Sequence, residues 1–251
     1  MRKFTFVTGF IFLLSLCGAG LVRAGNDPTA LFVQGNEAYR QSKYGEAVQK
    51  YEEAVSSGRV SGALYYNLAN SYYKKKKLGK AVLNYERARR YIPRDHDLQA
   101  NFHFVASQVP SPSENQPSLW QNAMEKHLAF YTINETAWIL LLLGVAMATV
   151  HLISLYFAWA PGRQRAGLIV LGGLFILYFA GLMIQLDRRD HQAVAVMPTV
   201  ARFEPRPEAT AHFDLHEGTR VRFLKSSDGW WKIERSDGKQ GWVEKESVEK
   251  I

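Results

Sequence analysis

One cysteine, Cys17, occurs in 251 residues, so the chain has neither an internal disulfide nor a paired-cysteine metal motif, and if a leader carrying Cys17 is removed no thiol chemistry is left to it. Equally missing are a Walker phosphate loop, an H-E-x-x-H helix and a G-x-S-x-G nucleophile turn. The seven histidines are scattered without ligand spacing. No catalytic residue, metal site or cofactor is therefore expected, and the chain reads as a binding protein and not an enzyme. Charge is absent from two long stretches, 137–159 and 166–186, which carry no Asp, Glu, Lys or Arg.

Each of those stretches is near the roughly 20 residues needed to cross a bilayer core, and together they predict a transmembrane hairpin over 136–187. Trp138, Tyr156 and Trp159 lie near the ends of the first span, where interfacial aromatics gather. The connection 160–165 carries Arg163 and Arg165 and no acid, which places the hairpin tip in the cytoplasm. His151 is the one ionisable side chain well inside a span, and counting back from the tip sets it opposite Gly172 and Gly173, with room for an imidazole. The expectation for these three is packing or hydrogen bonding, since neither span carries an acid to complete a proton relay.

The first residues combine Arg2 and Lys3, an apolar run over 4–22, and Val22-Arg23-Ala24. That is the plan of a secretory signal peptide, 1–24, cleaved after Ala24. An uncleaved anchor helix and lipidation at Cys17 stand as alternatives. With two spans after a removed signal, both soluble regions are expected on the extracytoplasmic side of a bacterial cytoplasmic membrane. Export also argues against nucleic acid as the partner of this basic chain, whose formal net charge is +8.

Between the signal and the spans the sequence repeats itself. Gly35 and Ala69, Asn36 and Asn70, Tyr39 and Tyr73, Ala47 and Ala81, Tyr51 and Tyr85, and Ala54 and Ala88 all recur at one common offset. Two antiparallel helices with two tight turns use that length, about 34 residues, per stacked unit. Small residues are expected where the helices touch, Gly35 or Ala69 against Ala47 or Ala81. Leu98, Phe102 and Val105 at helical spacing predict a helix that caps the array, completing a domain over 25–108. Its concave face would present Phe32, Asn36, Tyr39, Tyr66, Asn70 and Tyr73. Asparagines there either bond an extended peptide or carboxylate, or merely solvate an empty groove. The domain has 13 Lys and Arg against 8 Asp and Glu, and the run Lys74 to Lys77 reads as a solvated turn. A Pro/Ser-rich linker, 109–118, and a short helix over 119–135 with Trp120, Met124, Leu128 and Tyr131 at helical spacing lead to the spans. That helix is expected to lie on the outer membrane surface or against the repeats.

From 191 to 251 the texture changes to short alternating segments, at 193–197, 201–203, 219–224, 231–234 and 241–243, separated by turns. Ser227-Asp228-Gly229 and Ser236-Asp237-Gly238 are hairpin signals. A small all-β barrel is expected, and Trp230, Trp231 and Trp242 offer a ligand shelf if they are not core.

The pattern G-N-x-x-Y, A-V-x-x-Y-E-x-A and Pro93 resembles the tetratricopeptide repeat (TPR), whose members bind peptides; Arg59 replaces the proline of the first unit. Leu215-His216-Glu217-Gly218-Thr219-Arg220-Val221, Gly229-Trp230-Trp231 and Asp237-Gly238-Lys239-Gln240-Gly241-Trp242-Val243 resemble the bacterial SH3 domain. The first-strand motif of proline-binding SH3 domains is missing at Ala201-Arg202-Phe203-Glu204-Pro205. The whole order of signal, repeats, two spans and SH3-like module resembles the BatE-type proteins of the Bat (Bacteroides aerotolerance) family. The resemblance implies a periplasmic scaffold working with membrane-anchored von Willebrand A proteins and, indirectly, a MoxR-type ATPase linked to oxidative-stress tolerance. A peptidoglycan-binding envelope sensor, taking cell-wall peptides, is the alternative.

Overall fold

Residues 27–110, 118–156 and 161–251 are described by a computed structural model of the chain. The expected signal peptide with Cys17, most of the Pro/Ser linker and Trp159 lie outside the described residues. Helices begin where the sequence offers a cap. Asp27 accepts a bond from the Thr29 amide ahead of α1 (Pro28–Arg40), Ser61 from Leu64 ahead of α3 (Gly62–Lys74), and Asp95 from Leu98 ahead of α5 (His96–Ala106). Each satisfies an amide that lacks a partner within its own helix. The intervening α2 (Tyr44–Ser56) and α4 (Leu78–Arg89) have no side-chain cap at Lys43 or Lys77. Instead the chain turns sharply through Ser42 (φ 60°) and Lys76 (φ 59°), equivalent positions one repeat apart.

Burial repeats with the same period. Ala47, Tyr51 and Ala54 are buried in α2, and Ala81, Tyr85 and Ala88 in α4. Leu64 and Leu68 recur as Leu98 and Phe102, so α5 continues the stack as one more first helix. What stands nearest Gly35 is the Tyr51 ring, not Ala47 as the spacing alone suggested. A Cβ at Gly35 would lie 2.4 Å from that ring, so the missing side chain makes room for an aromatic.

After α6 (Leu119–Phe130), the helices α7 (Ile133–Tyr156) and α8 (Pro161–His191) run antiparallel. Both are long and apolar enough to cross a membrane, and their apolar windows are almost entirely unburied by the rest of the chain. A capping box starts α7: Thr132 Oγ1 accepts from the Glu135 amide and Glu135 returns the bond to the Thr132 amide. At about 1.5 Å per residue α8 is roughly 46 Å long, well beyond a hydrocarbon core of about 30 Å. The surplus carries Asp187 to Asp190 and leads straight into the next strand. Helix α6 lies against α8: Leu128 packs on Gly181, and Gln185 donates to the Leu128 and Tyr131 carbonyls while accepting from Thr136. Trp120, by contrast, is exposed.

The C-terminal domain is one antiparallel sheet in the order β3-β2-β6-β5-β4-β1-β7. Its strands are β1 (Gln192–Ala195), β2 (Thr199–Arg202), β3 (Ala211–Leu215), β4 (Arg220–Ser227), β5 (Trp230–Arg235), β6 (Gln240–Glu244) and β7 (Val248–Lys250). Strands β3 and β7 were not anticipated; β7 is too short to show a period. Asp228 (φ 39°) and Gly229 (φ 81°) form the two-residue turn between β4 and β5, where positive φ at both positions suits the twist of the hairpin.

Strand β1 joins the domains. Ala193 and Ala195 belong to the sheet core, and Val194 between them belongs to the helical core. Because successive side chains point to opposite faces, all three are fully buried.

Candidate functional site

The concave side of the helical domain is built by a ladder that the repeat prints twice. Tyr51 donates its hydroxyl to Asn36 Oδ1 at 2.7 Å, and Tyr85 donates to Asn70 Oδ1 at 2.5 Å. Asn67 Nδ2 donates to the same Asn36 oxygen at 2.9 Å, and Asn101 Nδ2 to that of Asn70 at 3.3 Å. Burial pushes the Tyr51 phenol up to about 12 and raises Tyr85 as well, so both remain protonated donors. Each asparagine oxygen is thereby taken up inside the domain. Among the described residues the amide NH2 groups of Asn36 and Asn70 have no partner, and their four N–H donors are left for a ligand.

These groups face a hollow of about 240 Å³ lined by Asn36, Tyr39, Arg40, Tyr51, Asn67 and Asn70. Phe32 and Tyr66 do not line it but brace rings nearby, tilted at 6.0 Å from Tyr51 and 6.1 Å from Tyr85. Tyr73 stands at the far end, accepting from Gln108 at 3.1 Å and edge-on to Phe104. All six expected groove residues are half-buried on this one side. Asn67, Asn101, Tyr51 and Arg40 were missed, although Asn67 and Asn101 themselves recur with the repeat. The hollow offers side-by-side NH2 donors, the Asn67 oxygen, a guanidinium and aromatic walls, which suits the main chain of an extended peptide.

The convex side is closed by the sheet domain. Glu217 accepts from the Gly79 amide at 2.9 Å, placing a carboxylate at the uncapped start of α4, where it also meets the positive end of the helix dipole. Glu249 bridges Lys80 at 2.7 Å and Arg87 at 2.9 Å. Burial works against its charge, yet Lys80 and Arg87 hold the carboxyl below the usual glutamate value. At the other end of α4, Arg90 donates to the carbonyls of Ile251 and Arg189 at 2.7 and 3.0 Å. Gly79 admits no side chain, since a Cβ there would lie 2.5 Å from the Ala195 carbonyl oxygen. Helical domain, sheet domain and the end of α8 thus form one continuous body, where separate modules were expected.

The three tryptophans do not share a shelf. Neighbours on β5 point to opposite faces, so Trp231 turns toward the sheet core, 5.0 Å from Phe223, while Trp230 turns away and is buried. Trp242 pairs with Lys232 on the Trp230 side, and Lys225 lies over its ring at 5.5 Å. His151 also departs from expectation. Its Nδ1 lies 3.5 Å from Gln164, and among the described residues a Cβ built on Gly172 or Gly173 would meet nothing within 4 Å. Helix α8 starts at Pro161, so the connection ends earlier than the expected 160–165 and the facing register moves toward the tip.

Among the described residues no group of three or more His, Cys, Asp or Glu is placed to hold a metal ion. Residues 195–250 match the bacterial SH3 domain family, from the end of β1 through β7. No curated protein was found that matches the chain. A domain of the bacterial SH3 family is a module for binding protein or cell wall.

Proposed function

We propose that the chain is a non-enzymatic scaffold of a bacterial cytoplasmic membrane. It holds an extended peptide or protein segment in the concave groove of a TPR-type domain, with both soluble domains in the periplasm. The observation that carries this reading is the pair of unpartnered asparagine NH2 groups, one repeat apart, held by equivalent bonds to their oxygens along one hollow. The family resemblance extends it to a Bat-type envelope complex, with von Willebrand A proteins as direct partners and a MoxR-type ATPase beyond them. Seating of the SH3 domain against α4 favours the groove as the binding face, because the opposite side is already covered.

The test is selective. Asn36→Asp with Asn70→Asp keeps the oxygens that Tyr51 and Tyr85 bond but removes the donors and adds negative charge. In binding assays of the detergent-solubilised chain with purified von Willebrand A partners, the double variant is expected to lose affinity by at least about tenfold, the cost of two lost hydrogen bonds. Its melting temperature should change little. Unchanged affinity sends partner binding to the spans or the SH3 domain.

The bacterial SH3 match favours a second reading, a cell-wall-binding sensor. Because Val194 belongs to the helical core, this calls for the full chain and not an excised module. Co-sedimentation of the solubilised chain with purified cell wall, lost in a Trp242→Ala variant, would support it; absence of co-sedimentation removes it.

A further inference from the structure

We propose that the cleft where α8 leaves its apolar stretch is a phospholipid site, taking the phosphate of a membrane lipid between α8 and the SH3 domain. This rests on α7 and α8 crossing a bilayer. The cleft measures about 780 Å³ and is walled by the last turns of α8, by β4 and the end of β5, by Val82 of α4 and by the end of α5. Its character changes along α8. Met183 and Ile184 line one end, and Asp187, Arg188 and His191 follow within two turns. In a helix that crosses a membrane, the first charges after a long apolar run mark the passage from hydrocarbon to headgroups. The cleft therefore spans that boundary, and an occupant must be apolar at one end and polar at the other.

The polar end favours an anion. Four arginines, Arg188, Arg220, Arg222 and Arg235, line the cleft against two carboxylates, Asp187 and Glu234. Arg235 is committed to Asp237 and buried against the Phe213 ring. The other three are partly exposed, and each holds one carboxylate: Arg188 with Glu125 at 3.2 Å, Arg220 with Glu86 at 3.4 Å, and Arg222 with Asp187 at 2.9 Å. A guanidinium has five N–H donors, so these pairs fix the arginines in place and leave donors for phosphate oxygens. Arg220 and Arg222 sit two apart on β4 and so share a face.

Thr219 supplies an independent sign of a missing partner. The residue is 7% exposed and lines the cleft, and among the described residues its buried Oγ1 has no hydrogen-bond partner. Native proteins rarely leave a buried hydroxyl unpaired. A soluble anion would satisfy the arginines but leave Met183 and Ile184 uncovered, whereas a lipid covers both ends.

The full chain, purified in detergent and titrated with palmitoyl-oleoyl phosphatidylglycerol, should retain bound lipid by native mass spectrometry. Arg188→Gln with Arg222→Gln is expected to weaken retention on the order of tenfold, as for lost charge-assisted bonds, and Thr219→Val by a few-fold. Glu125→Gln breaks the same ion pair as Arg188→Gln but leaves the cation, and should retain lipid like the wild type. Equal retention by the arginine and Thr219→Val variants overturns the site, as does loss in Glu125→Gln equal to that of the arginine variant. Displacement of the lipid by millimolar inorganic phosphate overturns the lipid assignment in favour of a soluble anion. Alkaline carbonate extraction of membranes separates the two readings. A chain that resists extraction yet binds no lipid sinks the site alone, and a chain that is extracted sinks the membrane reading beneath it.

Discussion

Helices α2 and α4 are the same element written twice, and they ended up in different environments. Gly45 and Gly79 are equivalent, yet a Cβ on Gly45 would meet only the Lys75 amine at 3.6 Å, while one on Gly79 would run into the Ala195 carbonyl. Gln49 is exposed where Leu83 is fully buried, and Glu53 stands where Arg87 reaches the last strand. The inner faces, with their alanines and tyrosines, hardly differ. A duplicated unit therefore keeps the residues that stack it and changes those that meet a new neighbour. In α4 that neighbour is a domain at the far end of the sequence.

The sharpest way to break this comparison is the same substitution in both helices. Gly45→Ala should raise stability by about 0.5–1 kcal/mol, because alanine costs less backbone entropy in a helix. Gly79→Ala should lower it by about 1–3 kcal/mol, the usual cost of overpacking against a rigid neighbour. Opposite signs in thermal melts would establish that the seam is formed in solution; equal gains would mean that it is not.

Glu217→Ala should cost about 1 kcal/mol, as for a lost helix cap, and the protection of the Gly79 amide against hydrogen exchange should fall with it. Acid acts on the same seam. A carboxyl held below its unfolded value stabilises the docked state above that value and loses the contribution as pH falls through the folded one. For Glu249, whose ordinary value is 4.5, docking should weaken as pH drops below about 4.5, and a Glu249→Gln variant should show less of this dependence. The smallest effect is expected at the turns. Ser42→Gly and Lys76→Gly should each stabilise by about 0.5–1 kcal/mol, since both positions hold positive φ, which glycine adopts without a Cβ clash. Equal gains would show the two turns still equivalent despite the different surroundings of α2 and α4.

Much of the groove was legible in sequence. Tyr39, Asn36 and their counterparts advertise themselves by recurring with the repeat, and helical geometry then brings them to one side. What escaped was the direction of the asparagine amides, which depends on the tyrosine hydroxyls of the facing helix. The seam left one trace, an apolar Leu83 where the preceding unit has Gln49. A single such difference does not reveal which distant surface it serves. Trp231 is separated from Trp230 and Trp242 for a simpler reason, that adjacent residues on a strand point to opposite faces. The facing register of His151 depended on the length of a connection that hydropathy does not delimit to within a turn.

Local chemistry by itself determined the helices and their caps, the stacking of the repeats, the two apolar helices and most of the strands, because periodicity and capping act over a few residues. Only the folded chain decided that β1 would be buried on both faces, with Ala193 and Ala195 turned to one core and Val194 to the other. A short apolar run reads the same whether one partner covers it or two, and the number of partners is fixed by contacts between parts of the chain far apart in sequence.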